Sequence, residues 1–188
     1  MFVFDVDNTL TKRREQISTE MADLLFHVSK LAPIVITTGA GRERITRQLN
    51  PVLPLISEIH TNYCVEWFAL KNDIRTLEQE VYAHIAEYSY SISEHKCTIS
   101  TVSDIDWRQR IVRDYKQLFP DTNFFVSGRR SIDILPSGVT KHSFLDTTDI
   151  VYFGDEFYEF GNDTTVRADK VFKVKNPTET EQILKDMI

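Results

Sequence analysis

The sequence predicts an α/β fold, a parallel-sheet core carrying a small α+β insert, on three observations. The first 50 residues read strand, loop, helix, strand, helix; a βαβα opening implies parallel strands joined by right-handed crossovers. The middle of the chain changes to short strands and helices in a different order. From about residue 150 the opening style returns, so the first and last thirds are expected to share one sheet.

The elements follow in order. "FVFDV" at 2–6 is an apolar run of strand length, and 17–31 carries Met21, Leu24, Leu25 and Val28 at helical spacing. "PIVITTG" at 33–39 is β-branched and closed by glycine, as a buried strand would be, and "RERITRQLN" reads as the amphipathic helix after it. Residues 55–70 hold apolar and aromatic runs, and "LEQEVYAHIAEYSYSI" at 77–92 is expected to be helical. The strand "CTISTV", the helix "DWRQRIVRDYKQLF" with an aspartate cap, and the strands "NFFVS" and "SIDIL" complete the insert. "IVYFGD" and "KVFKV" return to the core before a terminal helix, "TETEQILKDMI". The expected organisation is core over 1–70, α+β cap over 71–136 and core again over 137–188.

Composition narrows the function. With 188 residues, 41% hydrophobic content and 12 phenylalanines, the chain can bury one substantial core. A net charge of -6 disfavours a nucleic-acid partner, whose phosphates call for a basic surface. Cys64 and Cys97 lie in no CxxC or CxxH spacing, so neither zinc nor a disulfide framework is indicated. No apolar run reaches the roughly 20 residues of a membrane span, and the first residues lack the pattern of a secretory leader, so a cytoplasmic protein without a membrane partner is expected. Tyr82, Tyr88 and Tyr90 are expected in the cap core or on a homodimer face.

The chemistry gathers at strand ends, where ligands of open parallel sheets bind. The first delivers Asp5, Asp7 and Thr9; the second Thr37, Thr38 and Gly39; the third Asp155, with Asn162 and Asp163 in the loop beyond. Lys141, in "PSGVTKH", is expected at the start of a helix facing the same edge. Two aspartates closing a buried strand are costly unless a cation or a reaction uses them. Oxygen donors of this hard type suit Mg2+, which takes one or two carboxylates, waters and a substrate phosphate oxygen. One aspartate can then attack phosphorus while the other serves as acid and base, and the hydroxyls and amides of the glycine turn bind phosphoryl oxygens.

The ordered set, strand-DxDxT, strand-TG, a lone lysine and strand-GD followed by ND, resembles the haloacid dehalogenase (HAD) superfamily of phosphotransferases. In more detail, "FDVDNTLTKRREQISTEMADLL", "RITRQL", "SIDILPSGVTK" and "VYFGDEFYEFGNDTTVRADKVFKV" resemble the eukaryotic-type phosphomannomutase branch. The resemblance implies a Rossmann-like core with a shortened cap inserted between the second and third catalytic motifs. It implies that Asp5 is nucleophile and Mg2+ ligand, that Asp7 is acid/base with its carbonyl on the metal, and that Asp155 is the third protein ligand. It further assigns Asn162 and Asp163 to orienting the metal waters and the phosphoryl group, Thr38 and Gly39 to phosphate, and Lys141 to pairing with Asp5. Ser131 and Asp133 match cap positions that contact sugar, and Arg129 and Arg130, in the turn before them, are candidates for gripping substrate.

Departures from the branch are equally specific. Its cap carries arginines in an RNG...GR region that hold the distal phosphate of a sugar bisphosphate; here "CTISTVS" runs directly into "DIDWRQR". Ala40 stands where the branch has serine, and Asn8 where it has glycine, a position asparagine tolerates if φ is positive. "KRR" at 12–14 with Arg42, Arg44 and Arg47 could attract an anionic substrate, but solvated surface and helix faces are the favoured reading. A phosphatase acting on a small phosphorylated metabolite, such as a sugar phosphate, is therefore expected. A phosphohexomutase is the second reading and a noncatalytic binding protein the third.

Overall fold

The computed structural model describes residues 1–65, 79–93, 96–145 and 149–188. The apolar stretch beyond Val65, the start of the helix expected from residue 77 and the expected boundary at 70/71 lie outside them. The described residues form two compact units: 1–64, 145–155 and 166–188, and then 65–144 with 156–165. Residues 137–144 and 156–165 thus group with the insert.

The first unit holds a parallel sheet whose described strands are β1 (Phe2–Phe4), β2 (Ile34–Thr37), β3 (Ile56–His60), β8 (Val151–Gly154) and β9 (Lys170–Lys173), in the order β3-β2-β1-β8-β9. β1 lies between β2 and β8, with Phe4 in register with Ile36 and Phe153, so residues from both ends of the chain meet at the sheet centre. Three helices flank it: α1 (Thr19–Leu31), α2 (Arg42–Leu49) and α5 (Pro177–Met187). Ser18 caps α1 by accepting from the Met21 amide, and Met21, Leu25 and Val28 bury the stripe their spacing defines. Asn176 caps α5 in the same way, with Pro177 in the first turn where its missing N–H costs nothing. Phe4, Phe153 and Phe172 stack in turn across β1, β8 and β9, with ring centroids 4.8 and 4.7 Å apart.

The second unit holds an antiparallel sheet ordered β4-β5-β7-β6, from β4 (Ser89–Ser93), β5 (Lys96–Ser100), β6 (Thr122–Ser127) and β7 (Ser131–Pro136). Helices α3 (Gln79–Ile85) and α4 (Ile105–Leu118) contribute Val81, Ile85, Val112 and Tyr115 to the cluster built on Cys97, Ile99, Phe124, Ile132 and Ile134. Tyr82 and Tyr88 pack against this cluster, while Tyr90 is exposed. Burial pushes the Cys97 thiol up to about 11.

Two sequence expectations are corrected here. The helix expected over 77–92 ends at Ile85, and Ser89–Ser93 is a strand paired with β5. Serine is a weak helix former, and Tyr-Ser-Tyr-Ser-Ile-Ser alternates with the period of a strand. Lys141 lies in a turn and not at a helix start. The Thr140 amide donates to Ser143 Oγ (2.8 Å) and the His142 amide to Thr140 Oγ1 (3.1 Å), so side-chain oxygens take bonds a helix would need. No helix among the described residues is long and apolar enough to cross a membrane.

Candidate active site

β1 ends in a tight loop because one carbonyl organises it: Val6 O accepts from the amides of Thr9, Leu10 and Thr11. Asn8 takes φ 61° inside this loop, the left-handed conformation expected of it. Its side chain does more, since Nδ2 donates to Asp155 Oδ2 at 3.0 Å. Asp5 is 5% exposed and its amide donates to Phe153 O, which locks the ends of β1 and β8 side by side. Asp5 and Asp155 thereby close two adjacent parallel strands.

Asp7 is held on every side. Oδ1 accepts from the Arg14 amide and from Gln48 Nε2, both at 3.0 Å, and Oδ2 accepts from Arg44 Nη2 at 2.9 Å. Arg44 and Gln48 come from α2, so the helix after the second strand positions the carboxylate after the first. The sequence reading placed Arg44 on a solvated face and missed Gln48. The available signal was spacing, because Gln48 falls three residues after Ile45 and beside Leu49, on the buried stripe.

The second strand leads into Thr38 and Gly39. Thr38 is buried, with its Oγ1 accepting from the Ala40 amide at 3.2 Å and its amide donating to His60 O. A Cβ on Gly39 would lie 2.7 Å from the buried Tyr63 ring, so only glycine fits without moving that ring. Asn62, Tyr63 and Cys64 all adopt positive φ, 51°, 60° and 63°, a run of left-handed residues of the kind found at functional loops. Burial lowers the pKa of His60 from 6.5, against the opposing pull of its Glu58 hydrogen bond.

In the second unit, Lys141 and Asp163 form a fully buried ion pair at 2.7 Å. Asp163 Oδ2 also accepts from the Glu156 amide at 2.8 Å. Asn162 Nδ2 donates to the Glu156 carboxylate, which accepts from the Gly128 amide as well. Glu156 is thus the hub of this loop, a role that the gap between "GD" and "ND" did not reveal. On the cap sheet Ser131 and Asp133 share a face by alternation, opposite Ile132 and Ile134. Asp133 is buried and accepts from Thr98 Oγ1 (2.6 Å) and Ser127 Oγ (2.8 Å). Arg129 and Arg130 are exposed in the β6–β7 turn, where Arg130 Nε donates to Thr101 O. Buried Arg108 braces that turn through the carbonyls of Ser127, Gly128 and Ser131.

The donor set of the first unit fits Mg2+. Asp5 and Asp155 present hard carboxylate oxygens from neighbouring strand ends, and the buried Thr9 Oγ1 has no hydrogen-bond partner among the described residues. No group of three or more His, Cys, Asp or Glu side chains gathers there as a ready-made metal cage, again among the described residues. Two carboxylates completed by a carbonyl and waters are what Mg2+ accepts.

A family model described as eukaryotic phosphomannomutase matches residues 89–188. The chain belongs to the eukaryotic phosphomannomutase family. Within that family it is 43% identical over 49 residues to a probable phosphomannomutase of Caenorhabditis elegans, a match covering 26% of this chain and 19% of the relative. A phosphomannomutase of Arabidopsis thaliana is 24% identical over 86% of this chain and 84% of its own length. Among solved structures, an N-terminally truncated, IMP-bound IMP-nucleotidase of Plasmodium falciparum superposes with a TM-score of 0.77 at 14% identity, covering 99% of this chain and 67% of that one. A haloacid dehalogenase-like hydrolase of Bacteroides thetaiotaomicron gives 0.59 at 13% identity, covering 100% and 98%. At such identities the structural likeness is one of fold alone.

Proposed function

We propose that this chain is a Mg2+-dependent phosphomonoester hydrolase acting on a small phosphorylated metabolite, a sugar phosphate by preference, through an aspartyl phosphate on Asp5. The observation that carries the reading is that Asp5 and Asp155 follow adjacent parallel strands, with Asp7 two residues further along the first loop and Asn8 donating to Asp155. Asp5 attacks phosphorus, and the bond from phosphorus to the alcohol oxygen breaks. Asp7 gives its proton to that oxygen, then takes one from the water that hydrolyses the aspartyl phosphate. Arg44, Gln48 and the Arg14 amide fix the Asp7 carboxylate for both transfers. Thr38 and the amides around Gly39 hold phosphoryl oxygens. Asp5 and Asp155 would hold Mg2+, which when bound screens the repulsion between carboxylate and phosphate. The roles of Lys141, Asn162 and Asp163 are assigned from the family motif, with the buried Lys141–Asp163 pair supporting a fixed, charged arrangement there.

The second reading, a phosphohexomutase, is favoured by the family match and by the Arabidopsis relative's name. A mutase must shield its aspartyl phosphate from water while the sugar reorients, and hold a second phosphate meanwhile. The absent arginine-bearing stretch between "CTISTVS" and "DIDWRQR" speaks for hydrolysis. The test is phosphate release run beside a coupled mannose 1-phosphate isomerisation assay, with Mg2+ and hexose bisphosphate activator. Phosphate release should far outpace isomerisation, and Asp5→Asn should abolish both while leaving the fold intact. Isomerisation faster than release would replace the hydrolase reading with the mutase.

A further inference from the structure

Within the second unit, β6 is the outer described strand of its sheet, and the loop from Glu156 to Asp163 runs beside it. The Val126 amide donates to Phe160 O at 2.9 Å, Val126 O accepts from Tyr158 Oη, and a parallel bridge joins Val126 to Gly161. One carboxylate closes the arrangement. Glu156 accepts from the Gly128 amide on Oε1 and from Asn162 Nδ2 on Oε2. We infer that Glu156 is a positioning residue that ties the substrate grip of the Arg129–Arg130 turn to the loop of Asn162 and Asp163, which the family motif assigns to the phosphoryl group. The inference rests on the phosphoryl-transfer reading and adds to it a residue through which the non-reacting part of the substrate influences turnover.

Both ends of the link are fixed. On the turn side, Gly128 adopts φ 49° and its carbonyl accepts from Arg108 Nη1 at 3.0 Å. The peptides on either side of Gly128 are thus held, one by Glu156 and one by the buried Arg108, and the exposed Arg129 and Arg130 follow directly. On the loop side, the Glu156 amide donates to Asp163 Oδ2 at 2.8 Å, while Asp163 Oδ1 takes Lys141 Nζ at 2.7 Å. Glu156 therefore holds Asp163 by its backbone and Asn162 by its side chain.

The chemistry of the group suits a link. A carboxylate has acceptors alone, so two N–H donors can share it without conflict, one to each oxygen. The loop's own shape is already held by the bonds to Asp163 and Val126, which leaves the Gly128 bond to serve the turn. The guanidinium donors of Arg129 and Arg130 match the hydroxyl oxygens of a sugar. Substrate seated on those donors orders the turn, and through Glu156 that order reaches Asn162. Binding energy from the unreactive part of the substrate is thereby used to align the reacting end.

The experiment measures phosphate release by the full chain in Mg2+ buffer, with glucose 6-phosphate and with p-nitrophenyl phosphate, which offers the arginines no hydroxyl. Glu156→Gln keeps the length of the side chain but accepts from one of the two donors, so the link breaks whichever bond survives. With glucose 6-phosphate it should lower kcat about tenfold and leave KM within about threefold. Arg129→Ala with Arg130→Ala should lower kcat about tenfold and raise KM about threefold or more. In the Glu156→Gln background the same arginine loss should raise KM as before but lower kcat less than about twofold, because the grip no longer reaches Asn162. With p-nitrophenyl phosphate the arginine loss should change kcat less than about twofold in either background. The control Arg113→Ala removes the exposed ion pair to Glu159, another tie between α4 and the loop, and should leave kcat and KM unchanged. Two independent tenfold losses, multiplying to about a hundredfold in the triple variant, overturn the link and leave the phosphoryl-transfer reading standing. So does a Glu156→Gln protein with unaltered kinetics, or release from p-nitrophenyl phosphate alone. Release from neither compound overturns both.

Discussion

Asn8 carries two tasks that a glycine would divide. It tolerates the positive φ of the first loop, and its amide orients Asp155. Asn8→Gly keeps the backbone free but removes the amide, so Mg2+ affinity should fall about tenfold, the usual cost of losing a partner of a ligating carboxylate. Asn8→Ala loses the amide as well and should cost about 1 kcal/mol of stability from left-handed strain. Metal titration beside thermal unfolding separates the two, and an Asn8→Gly protein with unaltered metal affinity would show that the amide orients nothing. Asp155→Ala should weaken Mg2+ further, with activity partly restored at high metal; an unchanged titration would place Asp155 outside the site. His60 gives a pH signature. Its folded pKa lies below the unfolded 6.5, so the unfolded state binds the proton first. Stability should hold above about pH 7 and fall as pH drops through 6.5 towards the folded value, and His60→Gln should flatten that slope in urea titrations. Sequence spacing exposed Asp5, Asp7, Thr38, Gly39 and Asp155 as strand-end residues because backbone alternation and loop position are local. It could not expose Arg44 and Gln48 as partners of Asp7, because that contact joins positions 37 and 41 residues apart.

At the scale of elements, strands with continuous apolar runs and helices with capping residues were legible. Ser18, Asp104 and Asn176 cap the helices that follow them. The misread element was β4, where glutamates and alanine in the first half promised a helix and serines in the second half ended it. The loop from Glu156 to Asp163 was legible as a motif but not as a structure. Its shape depends on Gly161, where a Cβ would lie 2.1 Å from Glu156 O. Backbone cannot yield as a flexible side chain does, so Gly161→Ala should destabilise by about 2 kcal/mol, lowering Tm by roughly 4–8 °C. Differential scanning calorimetry measures it. An unchanged Tm would mean that the loop relaxes at no cost and does not hold Glu156, Asn162 and Asp163 rigidly.

At the scale of the molecule, the described residues build two apolar clusters with no residue in common. Ile36→Val in the first and Ile132→Val in the second should each cost about 0.5–1.5 kcal/mol, and the double substitution should equal their sum within about 0.5 kcal/mol. Denaturant unfolding of the four proteins decides it, and a larger discrepancy would reveal coupling between the clusters. The two-unit division itself was visible in the sequence as a change of style, whereas the return of residues 156–165 to the insert was not, because β8 leads into that loop without a break in pattern. The direct register of β1 with β8 has one more implication, for ancestry. Asp5 and Asp155 follow two hydrogen-bonded neighbouring strands, although 150 positions of sequence separate them, so the intervening segment can lengthen, shorten or be exchanged without altering the register of those strands. The two carboxylates can then be inherited as a pair set by strand register, whatever the lineage does to the segment between them.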